Sequence, residues 1–173
     1  MRSLVAILLF SFCCRVSHAD ERQVFSLTGG WIYVTAAQPV GGRAAFHGWY
    51  VIPQYHLNKN WSIIAEFDNL YGSPRGESTN QHVYMTGPLY GRNVGKRLYA
   101  FVFGEVGVIR ISSAGNVTHS FIFVAGPGVN ISLNRRVALQ ILPSDFVLAN
   151  LPTGVVLNYA AQAGIVFHLW TKK

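Results

Sequence analysis

The chain has 173 residues, half of them apolar, with only 12% charged and a formal net charge of +7. That length holds one domain and not comfortably two. So few charges cannot coat a soluble domain of this size, and no basic run exceeds two residues (Lys96-Arg97, Arg135-Arg136, Lys172-Lys173), so the continuous stripe that nucleic acid requires is missing.

Residues 1–19 read as a secretory signal peptide. Arg2 supplies the positive start, Leu4 to Phe10 opens the apolar stretch, and Ser17-His18-Ala19 places small residues where a signal peptidase cuts, after Ala19. About a dozen apolar residues are too few for a membrane-spanning helix, which needs about 20. Cys13 and Cys14 both lie in this segment, and Phe12 before Cys13 argues against lipid attachment. Residues 20–173 therefore carry no cysteine, which removes disulfides, thiolate metal sites and thiol nucleophiles together. Without Arg2 and Arg15, 12 basic residues stand against 7 acidic ones, a net +5 suited to a rim beside anionic head groups.

Beyond the signal the apolar residues recur at period two, the mark of strands. Eight segments follow at about 24–36, 45–57, 61–72, 81–90, 97–111, 119–133, 136–149 and 155–170, each long enough for a tilted membrane strand. Asn58-Lys59-Asn60 and Leu133-Asn134-Arg135 are tight turns; 37–43, 73–80 and 112–117 are expected to be longer loops at the other end. The third segment sets Trp61, Ile63, Ala65 and Phe67 against Ser62, Ile64, Glu66 and Asp68. The sixth sets Phe121, Phe123, Ala125, Val129, Ile131 and Leu133 against Ser120, Ile122, Val124, Gly126, Gly128, Asn130 and Ser132. In the eighth, Leu157, Tyr159, Ala161, Ala163, Ile165, Phe167 and Leu169 oppose Asn158, Ala160, Gln162, Gly164, Val166 and His168. The fifth segment is apolar on both faces (Val102, Val106 and Val108 against Tyr99, Phe101 and Phe103, with Glu105), so its register stays open.

A bulky apolar face and a small polar one predict an all-β, eight-stranded antiparallel up-and-down transmembrane β-barrel. The bulky face turns to lipid, and closure removes strand edges that lipid cannot solvate. A lipocalin-like soluble ligand carrier would turn the same face inward, but lacks the outer charges to stay in solution. Trp31, Trp49, Trp61, Trp170 and several tyrosines fall near segment ends, as an interfacial aromatic belt would.

The short stretches Gly126-Pro127-Gly128-Val129-Asn130, Asn134-Arg135-Arg136-Val137-Ala138-Leu139-Gln140, Asp145-Phe146 and Gly164-Ile165-Val166-Phe167, in this order and spacing, resemble the second half of the OmpA-like outer membrane protein β-barrel domain family. Gly48-Trp49, Gly87-Pro88 and Phe103-Gly104-Glu105 agree. The resemblance implies an eight-stranded porin-like barrel in the outer membrane of a Gram-negative-type bacterium, in many members without a demonstrated activity. Gln140 stands where members commonly have Arg, and Pro143 where they have Gln. Pro143 removes a ladder donor and predicts a bulge that shifts Asp145 off the alternation running from Leu139.

The expected lumen network is Glu66, Asp68, Gln140, Asp145, Asn158 and Gln162, with Arg110 as a further candidate. In an eight-stranded barrel such side chains fill the interior, so a structural or envelope role with a mostly plugged polar lumen is expected. The alternatives are a surface-exposed adhesin-like barrel and a narrow pore through the same residues. A lipid-modifying enzyme is disfavoured: His119 and Ser120 are adjacent and so face opposite ways on a strand, and His47, His56, His82 and His168 lack metal-ligand spacing. The expected partners are outer-membrane lipid and the barrel-insertion machinery, with a monomeric chain, no nucleic acid, no cofactor, no metal and no catalytic residues.

Overall fold

The computed structural model describes residues 22–37, 42–151 and 154–172; the signal segment lies outside them. Eight strands close into a barrel in chain order: β1 (Arg22–Ala37), β2 (Arg43–His56), β3 (Trp61–Gly72), β4 (Thr79–Asn93), β5 (Leu98–Ser113), β6 (Asn116–Ser132), β7 (Val137–Leu151) and β8 (Gly154–Lys172). All neighbours are antiparallel, and β1 pairs with β8 to seal the ring. Among the described residues no helix is long and apolar enough to cross a membrane. Spanning falls to the strands, whose ladders satisfy every neighbour without an open edge.

The sequence's two faces sort as the period requires. In β3, β6 and β8 the bulky residues point out and their alternates point in, as at Ile63, Phe123 and Ile165 outside and Glu66, Val124 and Gln162 inside. The outer surface carries Trp31, Phe67, Val106, Phe121, Leu148 and Phe167, each more than a third exposed. Water cannot solvate such a band, whereas hydrocarbon can. Every Lys and Arg whose side chain is placed is exposed, and these cluster at the two ends: Arg43 and Arg110 at one, Lys59, Arg92, Lys96, Arg97, Arg135 and Arg136 at the other.

The fifth strand's register is now fixed. Phe101, Phe103, Glu105 and Ile109 face inward, and Val102, Val106 and Val108 face outward. This corrects one expectation: Arg110 follows inward-facing Ile109 and therefore points out, close to the strand end where its guanidinium reaches the interface. Pro143 does sit in a bulge. The β7–β8 register shifts between Leu142 and Asp145, and the facing β6–β7 register shifts between Ala125 and Val129. Gln140 and Leu142 thus face inward, and so does Asp145 despite its odd number.

The connections are more even than expected. Residues 112–117 are not a longer loop: β5 and β6 join through Ala114 and Gly115 alone, both at positive φ (48° and 80°), the geometry of a tight hairpin. Residues 73–78, including a short 3-10 turn at Pro74–Gly76, form the one longer connection described at that end. The tight turns at the other end are tied by Asn58 and Asn134, whose Oδ1 atoms accept backbone N–H bonds from Asn60, Trp61, Arg136 and Val137 at 2.8–2.9 Å. Trp61 and Tyr90 meet there with ring centroids 5.0 Å apart, while Trp31 and Trp49 pair at mid-strand rather than at strand ends.

Candidate functional site: the barrel lumen

Three layers of side chains line the lumen. At the turn end, Gln54 Nε2 donates to Ser62 Oγ (2.9 Å), and His56 links Ser62 Oγ to Ser26 Oγ through its two ring nitrogens (3.0 and 3.2 Å). Gln140 and Asn130 face the same half, opposite one another in the β6–β7 register. Above this network lie large rings, each seated on a glycine of the neighbouring strand. Tyr50 is opposite Gly30, which is in turn opposite Gly164, and a Cβ on Gly164 would collide with the Tyr50 hydroxyl. Phe101 is opposite Gly128 in the same way. Removing the Cβ lets a ring lie flat across its partner strand and reach the barrel axis.

At the waist are four carboxyl groups: Glu66, Asp68, Glu105 and Asp145. Their residues are at most 5% exposed. Glu66 accepts a 2.7 Å bond from Gln162 Nε2. Asp145 lies against Gly126, where a Cβ would occupy the space of its carboxyl, so Gly126 and the Pro143 bulge together admit this side chain. No Lys or Arg with a placed side chain faces this cluster. An isolated charge buried there would cost several kcal/mol, and the Gln162 amide supplies a neutral donor to Glu66.

The third layer, towards the 73–78 loop, departs from the expected polar lumen. Its inward residues are mostly apolar, Val34, Phe46, Leu70, Val83, Ile109 and Ile122 among them, with Thr79, Gln81 and Asn158 buried beside them. They do not fill it: a cavity of about 230 Å³ remains. Two of the expected polar residues edge this cavity. Gln162 closes the waist side, and Asn158 accepts the Ala37 backbone N–H at 2.8 Å.

Each of Glu66, Asp68, Gln140, Asp145, Asn158 and Gln162 is thus buried on the lumen side, but they do not form one cluster. Gln140 belongs to the turn-end half and Asn158 to the cavity wall. Glu105, Tyr50, Gln54 and Ser62 were not among the expected residues; alternation with Glu66 and Asp68 puts Ser62 on the inner face of β3, whereas Glu105 needed the register of β5. His119 is exposed and Ser120 buried in the lumen, so these neighbours do face apart.

No protein-family model matches the sequence, and no curated protein matches it. Solved structures do match in fold. Neisserial surface protein A superposes with a TM-score of 0.73 at 12% identity, covering 87% of this chain and all of that one. This is the fold of a small outer-membrane β-barrel. The outer membrane protein OprG of Pseudomonas aeruginosa gives a TM-score of 0.56 at 11% identity over 86% of this chain and 97% of its own. Ail, the attachment invasion locus protein of Yersinia pestis, gives 0.55 at 13% over 84% and 100%. At such identities the OmpA-like likeness is one of architecture, and the lumen must be read from its own residues.

Proposed function

We propose that this barrel resides in the outer membrane, monomeric and surrounded by lipid, and serves the envelope structurally, without conduction or catalysis. The carrying observation is the waist: Tyr50, Glu66, Asp68, Glu105, Asp145 and Gln162 are each no more than 5% exposed. A path for ions would need those side chains to leave a water-accessible thread between them. The apolar outer band and the basic residues at both ends support lipid as the surrounding medium. A catalytic role would need an accessible nucleophile in reach of a base, and the two serines that contact His56, Ser26 and Ser62, are each about 1% exposed. Surface binding has less support, because the β5–β6 connection is only Ala114 and Gly115.

Planar-bilayer recording tests the closed lumen. The refolded protein is expected to insert without discrete conductance steps, whereas Tyr50→Ala combined with Phe101→Ala, which empties the ring layer, is expected to produce them. Stable ohmic steps from the unsubstituted chain would overturn the reading in favour of a pore.

A further inference from the structure

The hairpin turns at one end of the barrel repeat a pattern that closing a barrel does not require. They read Leu57-Asn58-Lys59-Asn60, Val94-Gly95-Lys96-Arg97 and Leu133-Asn134-Arg135-Arg136. Each closes in the same way, the first residue's backbone N–H donating to the carbonyl of the fifth: Leu57 to Trp61, Val94 to Leu98 and Leu133 to Val137, at 2.9–3.0 Å. Each turn therefore presents an aliphatic side chain and, two residues on, a cation. Leu57, Val94 and Leu133 are 52, 50 and 61% exposed, next to the end of the barrel where the rings of Trp61 and Tyr90 meet. Backbone bonds join the turns into one arc. The Asn60 carbonyl accepts the Gly91 N–H and the Arg97 carbonyl the Ser132 N–H, both at 2.8 Å, and the Arg136 carbonyl accepts the His168 N–H at 2.9 Å. Arg92, Lys96, Arg97, Arg135 and Arg136 are all exposed along it. Among the described residues no acid balances them: Glu66, Asp68, Glu105 and Asp145 are buried in the lumen, and Glu77 lies in the connection at the opposite end. The loop end has no such arc, since Arg43 and Arg110 stand on β2 and β5, which are not neighbours.

We propose that this arc binds anionic phospholipid in preference to zwitterionic phospholipid. The phosphodiester head groups sit on the cations, and the acyl chains pack on Leu57, Val94 and Leu133. Guanidinium groups match phosphate oxygens in a bidentate fork, and each basic residue at an anionic membrane surface strengthens the attraction about fivefold. The pairing of an aliphatic side chain with a cation in every turn selects a lipid, which offers a chain and a phosphate together. A soluble anion would leave the three aliphatic side chains in water. Short turns mark the periplasmic end of outer-membrane barrels, so the choice of leaflet rests on the outer-membrane reading, whereas the head-group preference belongs to the turns themselves.

The protein, expressed as the full chain and purified in detergent, is titrated with dioleoyl-phosphatidylglycerol or dioleoyl-phosphatidylcholine, and native mass spectrometry counts the bound lipid. The two lipids share their chains and differ in head-group charge. The anionic lipid is expected to bind about tenfold more tightly. Arg97→Gln with Arg135→Gln is expected to bring the two lipids within about twofold of each other. Arg97→Lys with Arg135→Lys is expected to keep the preference, and the loop-end pair Arg43→Gln with Arg110→Gln to leave it unchanged. Glycerol phosphate, a head group without chains, is expected not to displace the lipid. Gel mobility with and without boiling is read on the same samples. Equal binding of the two lipids by a chain that shifts on heating would overturn this inference alone, and a chain that does not shift would contradict the barrel and both readings with it. Loss of the preference in the loop-end pair, or displacement by glycerol phosphate, would also overturn the assignment to the turns.

Discussion

The two halves of this lumen are built on opposite plans. Towards the tight turns, rings lie on glycines beside a network of serine, histidine and amide side chains; towards the 73–78 loop, mostly apolar side chains with Thr79, Gln81 and Asn158 line a space they do not fill. The same barrel wall encloses both, so the difference comes from side-chain choice and not from strand number. The Tyr50 half uses size: a tyrosine opposite Gly30 spans what a valine cannot. The side chains of the Val34 half stop short of the axis, and the carboxyl layer between the halves marks the boundary. Phe46 also sits on a glycine, Gly72, in the loop-end half, so ring-on-glycine packing occurs in both halves, and the cavity remains where the other inward side chains are short.

Substitutions can sharpen or break this contrast. The largest effect is expected where packing is tightest. Gly164→Leu drives a side chain into Tyr50 and the Gly29 carbonyl, and should lower stability by about 3 kcal/mol, in the upper range for overpacking. Urea unfolding in lipid vesicles, followed by tryptophan fluorescence, would show it. At the boundary, Gln162→Leu removes the donor to Glu66 Oε1 and leaves a buried acceptor unpaired, a cost of about 2 kcal/mol by the same assay. The smallest effect is expected in the open half: Ala149→Phe enters existing space and should change stability by no more than about 1 kcal/mol. If Ala149→Phe were as damaging as Gly164→Leu, the two halves would be equally packed and the contrast would be lost.

Much of this architecture was legible in the alternation. A bulky outer face and a smaller inner one are written plainly in β3, β6 and β8, because a period of two assigns each residue a side. Even the inward turn of Asp145 follows from Pro143, a residue that cannot donate to the ladder. β5 was not legible, since Val106 and Phe103 are both apolar and only pairing with β4 and β6 decides which of them meets lipid. Arg110 was misplaced for the same reason. The lumen's division could not be read at all. Strand tilt and stagger decide that Glu66 meets Gln162 across 96 positions of sequence, while Gln140 lies in another layer. The empty volume is likewise a property of side chains converging from all eight strands, which no single segment displays.

The claim beneath all of this is a closed barrel whose apolar surface faces lipid. The direct measurement is to express the full chain in a bacterial host, isolate outer membranes, and run the protein on a detergent gel with and without boiling. The account predicts a band in the outer-membrane fraction that changes mobility on heating, as a detergent-resistant barrel does when it unfolds. A soluble periplasmic band with no heat-dependent shift would contradict it, and would turn the apolar face inward after all.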